Sequence, residues 1–379
     1  MRERTIPAVF MRGGTSKALM FKAADLPPDR ARWDALFCAA MGSPDPNGRQ
    51  IDGMGGGLSS FSKVCVVGKP SRADADLDYT FAQVSIRDAR VDMSGNCGNM
   101  SAAIGPFAVD EGLIAAADGR VTIRIHNTNT RKIIHSTFEV RDGQAVQSGT
   151  LAIPGVAGTG APIRLDFLEP GGAITGKLLP TSDVIEELDV PGVGRIDVSM
   201  VDAGNACVFV RAESLGLTGT ETPEQIEREP RIMEALLAIR AQASVAMGIA
   251  PDLKAAHARA ATPSIGLIAA PRAWTTLDGE TLGEDAADLA VRMISSNQPH
   301  RALPLTASLC VAVAAAIPDT LVHTAARYPG RGPIRLAMPS GVLTVSAEVR
   351  KDREGWYALW GSFNRTARRL FEGRVCLPA

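Results

Sequence analysis

Cys97, in the turn Gly95-Asn96-Cys97-Gly98-Asn99, is the residue whose neighbours most favour a catalytic or anion-binding role. Glycine and asparagine accept left-handed backbone dihedrals, and the apolar, alanine-rich segment 100–109 that follows predicts a buried helix. The thiol would then lie at a helix N-terminus, where unpaired amides and the helix dipole stabilise a thiolate or a substrate carboxylate. The alternative is a small buried residue in a tight turn.

Lys63 is the second candidate. It follows a glycine- and serine-rich loop, 52–62, and directly precedes the apolar segment Val64-Cys65-Val66-Val67, which predicts a buried strand. Burial disfavours the charged form of a lysine, so an amine held there can act as a base. The alternative is a lysine whose ammonium reaches solvent.

Polar turns elsewhere could hold a small anion. The run Gly13-Gly14-Thr15-Ser16-Lys17 lies between predicted strands 6–10 and 18–22, and it lacks the spacing of a nucleotide phosphate loop. Its hydroxyls and amides suit an anion, although a β-hairpin with a polar turn explains the same residues.

The second half of the chain repeats this plan in outline. A Gly204-Asn205 turn separates two predicted strands, and Thr306 and Ser308 lead into a small-residue helix, 309–316. Helices are also predicted over 223–247 and over 285–295. Two halves, each with a buried helix behind a polar turn, would place two anion-binding helix ends across a cleft, which suits a small polycarboxylate.

Composition limits the class of protein. The chain has 379 residues, 45% of them hydrophobic, and a net charge of −1, which indicates two domains and gives no attraction to nucleic acid or to an anionic membrane. The six cysteines are scattered without metal-ligand spacing, which favours reduced thiols and a cytoplasmic protein. The N-terminus lacks an apolar core of signal-peptide length, and no apolar run is long enough to span a bilayer.

Seven segments resemble, in order, the PrpF family, which includes 2-methylaconitate cis-trans isomerases and methylitaconate and oxalomesaconate isomerases. They are distributed over nearly the whole chain, and the serine–lysine and GNCGN blocks together are specific. The segments are MRGGTSK (11–17), GSPDPNGRQIDGMGGGLSSFSKV (42–64), SGNCGNMSAAIGPFAV (94–109), DAGNACVFVRAESLGLTGTE (202–221), AAAIPDTLV (314–322), PSGVL (339–343) and NRTARRLFEG (364–373).

The resemblance implies an α+β, diaminopimelate epimerase-like fold of two similar domains, each a mixed β-barrel-like sheet around a central helix. We place the first domain at 1–185, completed by 365–379, and the second at 186–364. The resemblance implies a site between the domains, no cofactor and no metal. It leaves the oligomeric state open, with a homodimer among the alternatives.

The family's proposed catalytic pair maps onto Lys63 and Cys97. The same mapping gives a set of substrate-binding residues from both halves: Thr15, Ser16, Ser60, Ser62, Asn96, Gly98, Asn99, Asn205, His300, Thr306 and Ser308. Arg365, Arg368 and Arg369 could neutralise a further carboxylate, although an exposed helix face is the favoured interpretation.

The implied function is isomerisation of an aconitate-like unsaturated tricarboxylate by proton abstraction and return, with 2-methylaconitate as the first candidate. The alternatives are an oxalomesaconate or methylitaconate isomerase or tautomerase, and a non-catalytic tricarboxylate-binding accessory protein. An amino-acid epimerase with two opposed thiols is disfavoured, because Thr306-Ala307-Ser308 occupies the place where diaminopimelate epimerases carry a second cysteine.

Overall fold

The computed structural model describes residues 4–93, 95–259, 262–295 and 297–377, so Ser94, the first residue of the segment 94–109, lies outside the described residues. The chain forms two compact units, the first Met1–Asp166 with Asn364–Ala379 and the second Phe167–Phe363. The predicted boundaries lay at 185/186 and 364/365. Residues 167–185 belong to the second unit, in which Asp202 accepts hydrogen bonds from the amides of Ile174 and Thr175.

In its described residues, the first unit consists mainly of strands, with two α-helices. A short 3-10 helix, Ser59–Phe61, precedes the third strand. The helices are α1 (Trp33–Met41) and α2 (Gly98–Asp110), and the strands are β1 (Arg4–Gly13), β2 (Ser16–Lys22), β3 (Lys63–Gly68), β4 (Leu77–Val84), β5 (Val91–Asp92), β6 (Gly119–Asn127), β7 (Lys132–Arg141), β8 (Gln144–Ala145) and β9 (Ile163–Leu168).

The two faces of this sheet bury different helices. Val64 and Val66 of β3 pack with Leu36 and Phe37 of α1 in one apolar core. Lys63 and Cys65 alternate with these valines, so they lie on the opposite face. Helix α2 contacts β1, β2, β3, β6 and β7 and is therefore enclosed by the sheet.

The second unit also consists of strands and α-helices. Its helices are α3 (Pro223–Glu227), α4 (Pro230–Ala246), α5 (Leu253–Ala258), α6 (Leu305–Ala316) and α7 (Leu321–Ala325). Its strands are β10 (Glu186–Val190), β11 (Gly194–Asp202), β12 (Ala206–Arg211), β13 (Ser264–Ala269), β14 (Trp274–Thr275), β15 (Thr281–Leu282), β16 (Leu289–Ser295), β17 (Gln298–Pro299), β18 (Pro333–Met338), β19 (Gly341–Lys351) and β20 (Trp356–Arg365).

Strand pairing shows that the two units repeat one topology. In the first, β1–β2 is antiparallel, β2–β3 parallel, β3–β4 antiparallel, β4–β6 parallel and β6–β7 antiparallel. The pairs β11–β12, β12–β13, β13–β16, β16–β18 and β18–β19 follow the same alternation. Helix α6 corresponds to α2 and is buried along nearly its whole length. The predicted α+β fold of two similar domains, each with a sheet around a central helix, is confirmed.

The prediction of a helix over 285–295 is wrong. The residues form a short 3-10 turn, Glu284–Ala286, and then strand β16. Six consecutive residues of β16 are buried, and a short apolar run of this kind does not distinguish a central strand from a buried helix. Its Arg292 is satisfied by the carbonyls of Glu221, Val291 and Ala337.

The interpretation of the C-terminal arginines as a helix face is also wrong. Residues Ala367–Leu377 form strand β21, which pairs antiparallel with the whole of β1. The hydrogen-bonding edge of β1 overrides the helix propensity of this segment. Arg365 is buried at the end of β20, and burial lowers its pKa to about 9.

None of the helices in the described part of the chain is long and apolar enough to cross a membrane.

The stability of the second unit depends on the close packing of α6 against the sheet. A Cβ on Gly361 of β20 would lie 2.6 Å from Cγ of the buried Leu309. We expect Gly361→Ala to lower the free energy of unfolding by about 1–3 kcal/mol through overpacking, and Leu309→Ala to lower it by about 2–5 kcal/mol through a cavity. Urea denaturation of both single variants and the double variant measures this.

In the double variant the added methyl group enters the space that Leu309 leaves. The combined loss should therefore fall short of the sum of the two single losses by at least about 0.5 kcal/mol. Strict additivity would contradict the contact.

Candidate active site

Cys97 is the N-cap residue of α2, with an extended backbone (φ −107°, ψ 99°), and its side chain makes no cap hydrogen bond within the described residues. Cys97 is half-exposed, whereas Gly98, the first helical residue, is buried. The first turn of a helix presents amides that lack intrahelical partners. The turn therefore places a thiol beside a group of donors suited to an anion.

The β1–β2 turn packs against this helix start. The side-chain oxygen of Asn99 accepts a hydrogen bond from the amide of Thr15 (3.3 Å), and its Nδ2 donates to the Thr15 hydroxyl (3.1 Å). A Cβ on Gly14, whose φ is +52°, would lie 2.1 Å from Oδ1 of Asn99. Only glycine at this position allows the hairpin turn and the helix to approach so closely.

Asn96 is held from the opposite side of the turn. Its Oδ1 accepts from Nδ2 of the buried Asn127 (3.4 Å) and from the hydroxyl of Ser101 (3.4 Å). The Ser101 hydroxyl also lies 3.1 Å from the carbonyl oxygen of Cys97. These contacts fix the backbone on both sides of the sulfur.

Lys63 begins β3, and the residue is only 8% exposed. It is paired with Gln83 of β4, and its Nζ donates a hydrogen bond to Oε1 of Gln83. The ring of Phe81, on the same face of β4, has its centroid 5.1 Å from Nζ. The amine is therefore held by one neutral acceptor and one aromatic face.

Cys65 links the two candidates electrostatically. Burial raises the pKa of the Cys65 thiol, a charge on Cys97 raises it further, and the hydrogen bond to Tyr79 and the charge of Lys63 act in the opposite direction. The pKa of Tyr79 is also raised, by burial first and then by Cys65 and Cys97. Cys65 lies two residues after Lys63 on the same face of β3, and α2, which begins directly after Cys97, contacts this strand.

The loop before Lys63 contains two of the predicted serines. Ser60 is half-buried in the 3-10 helix Ser59–Phe61. Ser62 is fully buried, and its hydroxyl donates to the carbonyl of Val84 (2.9 Å) and accepts from Nε2 of Gln50 (2.7 Å). The Ser62 hydroxyl therefore serves the hydrogen bonding of the loop itself. Ser16 is buried at the start of β2.

The predicted residues of the second unit occupy corresponding places there. Asn205 lies in the β11–β12 turn and donates from Nδ2 to the hydroxyl of Ser264 (3.1 Å). A Cβ on Gly204 would lie 3.8 Å from the carbonyl of Thr306, in the first turn of α6. Ser308 is fully buried, and its hydroxyl donates to the carbonyls of Pro304 and Leu305.

His300 follows β17, and its Nε2 lies 2.6 Å from the hydroxyl of Ser295. Burial lowers the pKa of His300, which favours the neutral imidazole. The structure thus groups Thr15, Asn96, Cys97, Gly98 and Asn99 at the start of α2, Ser60, Ser62 and Lys63 around the start of β3, and Asn205 and Thr306 at the start of α6.

Two glutamines in this region were missed by sequence reasoning. Gln83 contacts Lys63, and the fully buried Gln50 also accepts from the amide of Gly57 (3.1 Å). The available signal for Gln83 was a polar residue within the otherwise apolar run Phe81-Ala82-Gln83-Val84. Its partner depends on the β3–β4 register, which the sequence does not specify.

The two sheets, each around a central helix, give the chain the diaminopimelate epimerase-like fold. A hydroxyproline epimerase from Agrobacterium vitis, solved with bound trans-4-hydroxy-L-proline, has this fold. It superposes with a TM-score of 0.56 at 11% identity, covering 99% of this chain and 94% of that one.

The chain belongs to the PrpF family, because the family model described as PrpF protein matches residues 3–378. The crystal structure of a methylitaconate-delta-isomerase superposes with a TM-score of 0.89 at 41% identity, covering 100% of this chain and 96% of that one.

Three relatives named as isomerases match nearly the whole chain. A 3-methylitaconate isomerase of Eubacterium barkeri is 42% identical over 98% of this chain and 96% of its own length. A 2-methyl-aconitate isomerase of Shewanella oneidensis is 38% identical, with 98% and 97% covered. A (4E)-oxalomesaconate Delta-isomerase of a Novosphingobium species is 34% identical, with 97% and 96% covered. Similarity at this level over nearly the whole chain assigns the protein to the isomerases.

The close contact between Gly14 and Asn99 can be tested by measuring the free energy of unfolding of variants. We expect Gly14→Ala to lower the free energy of unfolding in urea by about 1–2 kcal/mol for the left-handed backbone, and by about a further 1 kcal/mol because Asn99 must leave Thr15.

Gly112→Ala is the matched control, since Gly112 has φ +67° and a Cβ added there would meet no atom of the described residues within 4 Å. Gly112→Ala should lower the free energy of unfolding only by the cost of the left-handed backbone, about 1–2 kcal/mol. Equal losses in the two variants would argue against the hairpin–helix contact.

Proposed function

We propose that this protein moves or rotates the C=C bond of a small unsaturated di- or tricarboxylate, and that Lys63 and Cys97 carry out the proton transfers. The observation that carries the proposal is the placement of the nearly buried Lys63 on the face of β3 that is turned away from α1, while α2, which contacts β3, begins directly after the half-exposed Cys97. The isomerase relatives support the reaction class.

The reaction requires removal of a weakly acidic carbon proton, delocalisation of the charge into a dienolate, and return of a proton. A positioned acid or base contributes about 10²- to 10⁴-fold to such a step. Donors directed at the developing enolate stabilise it further. Lys63 handles one proton transfer, and Cys97 handles the other or stabilises the intermediate. These steps use side-chain acids and bases alone, so the proposal includes no cofactor.

Carboxylates of the substrate require donors, and the unpaired amides at the start of α2 supply them. Thr15, Asn96 and Asn99 surround these amides and are proposed to orient the substrate. Ser16, Ser60, Ser62 and Gly98 remain proposed as parts of the same binding region. Asn205, His300 and Thr306 remain proposed carboxylate ligands of the second unit, and Ser308 remains proposed as part of that region, although its hydroxyl hydrogen-bonds within the first turn of α6.

Two substrates are the first to test. 2-Methylaconitate is the first candidate, because the motifs around Lys63 and Cys97 resemble those of a family that includes enzymes acting on it. 3-Methylitaconate is the second, favoured by the 42% identity with the Eubacterium barkeri enzyme. Oxalomesaconate follows, on the 34% identity of the Novosphingobium enzyme.

Proton exchange tests the reaction directly. Each acid is incubated with the protein in D₂O, and deuterium incorporation and isomer formation are followed by NMR. We expect Lys63→Met and Cys97→Ser to lower the rate by about 10²-fold or more, because each removes a proton-transfer group.

Lys69→Met and Cys376→Ser are matched controls, since both residues are exposed, and they should retain the wild-type rate. Full turnover in Lys63→Met and Cys97→Ser would contradict the mechanism. Thermal stabilisation of the wild-type protein by a tricarboxylate, without any deuterium incorporation, would favour the non-catalytic binding protein instead.

A further inference from the structure

We propose that Gln83 is a positioning residue for Lys63, and that its neutral amide holds the amine in place without stabilising the ammonium form as a carboxylate would. This inference rests on the proposed role of Lys63 in proton transfer. Gln83 belongs to the strand that pairs with β3, outside both motifs that carry Lys63 and Cys97.

The orientation of the Gln83 amide follows from its partners. Its Nε2 donates to the carbonyls of Ser59 (3.0 Å) and Ser62 (2.8 Å). Carbonyl oxygens only accept, and a primary amide has two N–H donors, so both donors are used on the serine loop. The remaining oxygen must then face Lys63, whose Nζ donates to it.

This arrangement joins the amine to the loop that precedes it. The backbone amide of Val84, the next residue of β4, also donates to the carbonyl of Ser62 (3.0 Å). Gln83 therefore fixes the loop carbonyls and the Lys63 amine with one side chain. A side chain with no donors at this position would remove the hydrogen bonds from Gln83 to the carbonyls of Ser59 and Ser62, and one with a negative charge would change the charge beside the amine.

Charge at position 83 matters because the two groups described in contact with Nζ of Lys63, the Gln83 amide and the Phe81 ring, are both neutral. The Phe81 ring covers Nζ from the same strand. The titratable groups around the pair are Cys65 on β3, Tyr79 on β4 and Cys97 at the start of α2, together with the exposed Asp92 of β5, which pairs with Gln83. A carboxylate in direct contact with the amine would favour its protonated form by about one pH unit or more.

Chemical labelling of Lys63 tests the inference without requiring turnover. Acetic anhydride acylates only the unprotonated amine, and mass spectrometry of the Lys63 peptide gives the extent of labelling at each pH. We expect Gln83→Glu to raise the pH of half-maximal labelling by about one unit or more. The pH limb of kcat/KM that follows Lys63 should move in the same direction.

Two further variants separate charge from loop structure. Gln83→Met removes the donors to Ser59 and Ser62 and adds no charge, so it should lower kcat and leave the labelling midpoint near the wild-type value. Gln144→Glu adds the same charge at an exposed position of β8, and it should change neither quantity.

The outcomes are distinct. An unchanged labelling midpoint in Gln83→Glu, or an equal shift in Gln83→Met, would overturn the positioning role. A shifted midpoint in Gln83→Glu, together with no proton exchange by the wild-type protein on any acid tested, would support the contact between Gln83 and Lys63 and reject the proposed function.

Discussion

The placement of Cys97 depends on the burial of the helix that begins after it. Met100, Ala102 and Ile104 are fully buried inside the sheet of the first unit. A Cβ on Gly105 would lie 2.6 Å from the Phe138 ring, so the helix has little freedom to shift. A rigid, buried helix fixes its own N-terminus, and the thiol and the unpaired amides are positioned with it.

Strand β3 positions the second candidate residue, Lys63. Val64 and Val66 pack against α1, and this apolar packing holds the strand whatever occupies its other face. The strand therefore tolerates a nearly buried amine, that of Lys63, on the face opposite these valines. Burial of an amine is unfavourable unless it has partners, and Gln83 and Phe81 supply a hydrogen bond and an aromatic face.

The sequence predicted those parts of the fold and site that depend on local chemistry. Cys97 was recognised because glycine and asparagine flank it and a small-residue helix follows, and Lys63 because an apolar strand follows it. Features that depend on long-range pairing were missed or misread. Gln83 meets Lys63 through strand register, β16 is a central strand whose short apolar run also fits a helix, and β21 is a strand because β1 offers it an edge.

The central claim is that Cys97 contacts the substrate and takes part in its conversion. Alkylation by iodoacetamide, with mass spectrometry of the Cys97 and Cys376 peptides and a parallel assay of isomerisation, tests it most directly. The account predicts that an unsaturated tricarboxylate slows alkylation of Cys97 and leaves that of the exposed Cys376 unchanged. It also predicts that activity falls in proportion to Cys97 modification. Full activity after complete alkylation of Cys97 would contradict the account.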